Sequence, residues 1–170
     1  MFLLQIKFNK DDKAFTLVEV LVALLILLIV ISASVSVVNQ ALGATQNIRS
    51  KFIASELAQE GIELARNIRD GNWIENMESA TSWDDGLPSG DWEIDYQSQS
   101  LSSYMGNNLK IDSNGFYNYL TGTETDFVRK ITLEKKSDNQ LRVISDIKWT
   151  EKGKDYNFTA IEDLYNWYAE

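Results

Sequence analysis

The chain has 170 residues, the length of one domain or of one domain with an appendage. Its 25 Asp and Glu against 16 Lys and Arg give a net charge of −9, which argues against nucleic acid as the main partner, since phosphate binding needs a cationic surface. His and Cys are both absent, which removes disulfides, thiolate zinc sites, Cys nucleophiles, His bases and every Ser-His-Asp arrangement. One Pro and 44% hydrophobic residues exclude a Pro-rich linker and overall disorder.

Lys7, Lys10 and Lys13 stand just before a greasy segment, with Asp11 and Asp12 among them. From Phe15 the chain reads FTLVEVLVALLILLIVISASVSVV, and Val20 to Val38 is broken only by Ser32, Ser34 and Ser36. As a helix that stretch is about 28 Å long, close to the ~30 Å hydrocarbon core of a bilayer. Serine is tolerated there because its hydroxyl bonds back to the helix backbone. A membrane span over residues 20–38 follows. A secretory signal would need a cleavage site after the run, for which Ser32-Ala33-Ser34 is the candidate. A plain anchor is the second reading, with the preceding lysines placing the C-terminal part outside.

Glu19 separates these readings from a third. It lies in the apolar segment without a cation close by in sequence. A charge at the bilayer centre costs about 2.5–3.5 kcal/mol on insertion scales, less near the edge, where a carboxylate reaches the headgroups. An ionisable residue there is still a functional candidate whose partner must be named. Cutting the chain between Ala14 and Phe15 supplies one. It frees an α-ammonium at Phe15, four residues or about 6 Å along a helix from Glu19. That ammonium could screen the carboxylate within one chain or pair with Glu19 of the next copy.

The stretch Lys13-Ala14-Phe15-Thr16-Leu17-Val18-Glu19, followed at once by the apolar run, resembles the N-terminus of type IV pilins and of the pseudopilins of related secretion and competence systems. The resemblance implies cleavage of Ala14–Phe15 by prepilin peptidase, N-methylation of Phe15, and a role for Glu19 in setting register during filament assembly. Ala14 departs from the Gly usual before the cut, and Phe2-Leu3-Leu4 makes the leader greasier than expected.

Good helix formers dominate residues 41–69, and no Pro or turn cluster interrupts 15–70, so one long helix is expected over 15–70. That is longer than an anchor needs. Ile53, Leu57, Gly61, Leu64 and Ile68 fall on one stripe. Ile48, Phe52 and Ile62 form a second apolar group, facing the same domain or a neighbouring subunit. Glu56, Glu60 and Glu63 read as a solvated face rather than a metal site. The segment Ala58 to Asp70 resembles the helix end of small or minor pilins.

After Asp70 the helical pattern stops, and 71–170 reads as a small β-rich head. Trp92 to Tyr96 alternates as a strand. Phe127, Arg129, Ile131 and Leu133 share a strand face, as do Leu141, Val143, Ser145, Ile147 and Trp149; Tyr156, Phe158, Ala160 and Leu164 continue the pattern. The turns at 136–139 and 151–154 make this a three-stranded antiparallel meander, which the helix stripe covers. The fold class is α+β, a long N-terminal helix packed on a small antiparallel sheet. Asp112-Ser113-Asn114-Gly115 and Asp84-Asp85 carry oxygen ligands suited to calcium, but the full alternating loop is absent and a β-turn is the better reading. The meander and the ending Leu164-Tyr165-Asn166-Trp167 resemble minor pilins.

A structural subunit is therefore expected: a minor pilin or pseudopilin that is assembled into, or primes, a type IV pilus-like filament. Its implied partners are other pilin subunits, prepilin peptidase, an inner-membrane assembly platform and membrane lipid. It is expected in the bacterial inner or cytoplasmic membrane first and in an extracellular pilus afterwards. No catalytic residue, metal or cofactor is expected. The alternative is a membrane-anchored extracellular binding module that takes a glycan or protein through exposed Trp and Tyr side chains.

Overall fold

The computed structural model describes residues 15–76, 82–98 and 100–167. The expected leader, residues 1–14, and with it Ala14, lies outside the described residues. The chain divides into two compact units, Met1–Thr45 and Gln46–Glu170, and one helix, α1 (Leu17–Asn76), has residues in both.

In the first unit α1 carries the apolar run. Every side chain from Leu17 to Val38 is exposed, and the helix is long and apolar enough to cross a membrane. The serines sit there without stranding a hydroxyl. Ser32 and Ser34 donate to the carbonyls of Leu28 and Val30, each at 2.8 Å.

The second unit joins the rest of α1 to one antiparallel sheet of seven strands: β1 (Gly90–Glu93), β2 (Ser102–Ser103), β3 (Asn108–Ile111), β4 (Tyr117–Asn118), β5 (Thr123–Ser137), β6 (Gln140–Glu151) and β7 (Lys154–Tyr165). The expected meander is β5–β6–β7. Its second hairpin closes on Lys152-Gly153, with φ of +52° and +73°, the left-handed pair that a two-residue turn matched to strand twist requires. With 15 residues, β5 is long enough to share its other edge between two partners, β1 opposite residues 131–133 and β3 opposite residues 123–128. β2 and β4 add outside β1 and β3.

Alternation along β5 and β6 buries the two expected rows, Phe127 to Leu133 and Leu141 to Trp149. α1 covers them. Ile62 and Ala65 pack with Ile131, Leu133, Leu141, Val143 and Leu164, while Ala54, Leu57 and Ala58 pack with Leu109, Phe127, Ile147 and Trp149. The covering stripe is rotated from the one expected. Leu57 and Gly61 are buried, but Ile53, Leu64 and Ile68 are only its half-buried flanks, and its centre is Ala54, Ala58, Gly61 and Ala65. Small residues at that spacing let the helix backbone approach the sheet. A Cβ on Gly61 would stand 2.5 Å from Ile131 Cδ1 and 2.6 Å from Ser145 Oγ. The second apolar group also divides. Ile62 joins the core, whereas Ile48 and Phe52 stay 68% and 64% exposed.

The helix also runs past its expected stop at Asp70, to Asn76. Gly71 costs a helix only about 1 kcal/mol, which tertiary contacts outweigh. Asn72 Nδ2 donates to the carbonyls of Trp83 (3.0 Å) and Asp85 (2.8 Å), and the Arg69 guanidinium lies 4.4 Å from the Trp73 ring centroid.

Arg129 is the one charged side chain on the inner rows of β5 and β6, and it is fully buried. It donates to the carbonyls of Leu57 (3.2 Å) and Ile94 and lies 3.2 Å from Glu60 Oε2. Glu60 therefore faces the sheet rather than water alone, and Glu63 is bound to Arg66, which also grips Glu162 on β7.

Candidate functional site at the start of the helix

Thr16 starts α1. Its carbonyl accepts the N–H of Val20 and its Oγ1 accepts the N–H of Glu19, both at 3.2 Å, which makes it the N-cap. Glu19 is thereby set in the first turn, where the positive end of the helix dipole favours an acid. Phe15 precedes the helix and is 78% exposed. Phe15 and Glu19 line one shallow recess of ≈ 320 Å³ with Val20, Ala23, Leu24 and Leu27. One carboxylate thus stands on an otherwise apolar outer stripe, and among the described residues no cation is bonded to it. Such a group is suited to meeting a cation from another chain.

In the two loops weighed for calcium, Asp112 and Asp84 spend their carboxylates on the protein itself. Asp112 Oδ1 accepts the N–H groups of Asn114 (2.8 Å) and Phe116 (3.0 Å), and Oδ2 accepts the Tyr96 hydroxyl (3.0 Å). The Phe116 bond, against the opposing effect of burial, holds its carboxyl below the ordinary 3.8. For Asp84 burial alone would raise the value, but hydrogen bonds from Lys135 (2.8 Å) and Ser82 outweigh it and the carboxyl is held below 3.8. Among the described residues no group of three or more Asp and Glu is arranged to hold a metal ion.

A folded value below the unfolded one gives stability that is present above the unfolded value and lost as pH falls through the folded one. Asp84→Asn is therefore expected to lower the urea midpoint at neutral pH, with the gap to wild type closing as pH falls below 3.8. Unfolding curves across pH measure this. A gap of constant size would show that the charge of Asp84 is not what stabilises the loop.

The family model described as "Prokaryotic N-terminal methylation motif" matches residues 9–35, which contain Ala14, Phe15, Thr16 and Glu19. None of the curated proteins and none of the solved structures compared matches the chain. The chain is thus type IV pilin-like in its N-terminal segment, and its role is that of a pilus-related structural subunit. With the long apolar helix, the motif marks a single-pass inner-membrane protein that later enters a pilus. Motifs of this type are recognised by prepilin peptidase, and the proteins that carry them assemble with other pilins.

Two structural partnerships escape the sequence reading. Thr16 as a cap had a signal, the Thr-x-x-Glu spacing ahead of an apolar run. The Arg129–Glu60 pair had none, because its residues are far apart in sequence and only the fold brings them together.

Proposed function

We propose that the chain is a minor pilin or pseudopilin that is cut between Ala14 and Phe15, N-methylated at Phe15 and built into a filament through Glu19. Residues 1–14 are the leader, the helix that follows Phe15 and Thr16 carries the membrane span, and the β-rich part beyond it forms the head, outside the cell membrane. Removing the leader's three Lys and two Asp leaves the mature chain one unit more acidic. The observation that carries this reading is the Glu19 carboxylate, bonded to no cation among the described residues, on an exposed apolar helix one turn from Phe15. The exposed Ile48 and Phe52 add apolar helix surface of the kind that neighbouring subunits cover. An inner-membrane assembly platform is the partner that would extract such a subunit. The absence of cysteine, and so of a disulfide-stapled loop, favours a minor subunit over a major one.

The rival is a tethered binding module, for which Trp167, 72% exposed, is the best observation. The other tryptophans are engaged in the fold. Trp83 and Trp149 are buried in the two cores, and Trp83 and Trp92 donate to the carbonyls of Asp138 and Pro88. Immunogold labelling of shed filaments with subunit counting tests the proposal. Sparse or terminal label is expected. Continuous label would make the chain a major subunit, and label confined to the cell body would favour the tethered module.

A further inference from the structure

We infer that Thr16 is a positioning residue for both maturation and assembly: its cap keeps Phe15 out of the helix and fixes Glu19 one turn from the nitrogen that cleavage frees. This inference rests on the filament reading. The bond to be cut is the Ala14–Phe15 amide. Hydrolysis places the hydroxyl of water on the Ala14 carbonyl carbon and a proton on the Phe15 nitrogen, which leaves as an amine and is protonated at neutral pH.

The leaving nitrogen therefore belongs to the residue just before the cap. Proteolysis needs backbone that can be drawn into an extended form, and a helix running through Phe15 would bind that nitrogen's neighbourhood into the intrahelical ladder. Thr16 sets the boundary, because its carbonyl accepts the first intrahelical bond, from Val20, and its hydroxyl accepts the N–H of Glu19. The helix begins at Leu17, so Phe15 stays outside it.

The same two bonds place Glu19. The first N–H groups of a helix have no partner within it. Without the Thr16 oxygen the Glu19 N–H loses the partner that ties it to the cap. The first turn then frays, or the helix grows back towards Phe15. Either change moves the Glu19 carboxylate relative to the Phe15 nitrogen. After cleavage the ammonium sits at the positive end of the helix dipole, which makes a fixed acid in the first turn all the more necessary. Thr16 acts through Glu19 and Phe15 and has no part in the ion pair itself.

The test uses the full chain, co-expressed with its peptidase and assembly partners. Thr16→Val keeps the shape and removes the acceptor, while Thr16→Ser keeps the acceptor and removes the methyl group. Pulse-chase gives the rate of leader removal, and the shed-filament fraction gives incorporation, each normalised to membrane-inserted chain. Thr16→Val should slow leader removal and lower incorporation about fivefold each, the effect of a lost N-cap, and Thr16→Ser should restore both to within about twofold of wild type. The inference is overturned if Thr16→Val matches wild type in either readout, or if Thr16→Ser is as impaired as Thr16→Val. In those cases the Glu19 mechanism still stands. A wild-type chain that retains residues 1–14 overturns the filament reading, and this inference falls with it.

Discussion

Glu19→Val is expected to insert into the membrane like the native chain and to be lost from shed filaments. Valine removes a charge that is costly in an apolar setting, so insertion should be no worse. Assembly is another matter. A carboxylate and an ammonium 4 Å apart at an effective dielectric of ~20 attract by about 4 kcal/mol before desolvation. Desolvation of both groups takes back part of that, so the pair helps only where its geometry is good. Even about 1.4 kcal/mol retained per contact is tenfold in an association constant. In the proposed filament the pairing would also select one axial register, because a charge pair is directional where apolar packing is not. Glu19→Gln, which keeps the shape without the charge, should fail in the same way. Immunoblots of filament and membrane fractions measure the ratio, and normal incorporation of either variant would remove Glu19 from the mechanism.

Arg129→Ala is expected to destabilise the second unit by about 3–5 kcal/mol, the combined cost of charge-assisted hydrogen bonds lost at a fully buried site and of the cavity left there. Arg129 is 0% exposed and bridges α1, through the Leu57 carbonyl and Glu60, to the Ile94 carbonyl beside β1. Truncation leaves a cavity at the point where helix and sheet meet and strands the Ile94 carbonyl. A domain with about 5–15 kcal/mol in total would lose a large fraction of its stability. Glu60→Gln should cost less, because the two carbonyls still hold the guanidinium. All five tryptophans lie between residues 73 and 167, so fluorescence-detected denaturation of the full chain in detergent reports on this unit. A midpoint unchanged by Arg129→Ala would mean that the helix is held by apolar packing alone.

What the sequence showed, and what it hid, follows from the physics of each element. The meander was legible because β5 and β6 alternate strictly, and Arg129 was placed on the inner row by that alternation alone. β2 and β4 were not, because two-residue strands carry no periodicity and form only as additions to β1 and β3. The large apolar residues of the helix mark only the flank of the covering stripe, whose centre is made of alanines and a glycine. Ala54, Ala58 and Ala65 bury little area each, but they and Gly61 decide how closely the helix can approach. The helix outruns the local stop signal at Gly71 because Asn72 is held by carbonyls of a loop that the sequence does not place nearby. At the site, Phe15 and Glu19 were legible because a carboxylate in an apolar run is conspicuous. Thr16 carries a weaker signal, a Thr-x-x-Glu spacing that becomes a cap only through the hydrogen bond at the helix start.

If leader removal gives Glu19 its counter-ion, the mass of the native N-terminal peptide must show it. Peptide mapping of the chain purified from its own membranes should return a first residue of N-methylated Phe15. A chain that begins at Met1, or one trimmed after Ser34, would contradict the account, since neither presents an amino group one helical turn from Glu19.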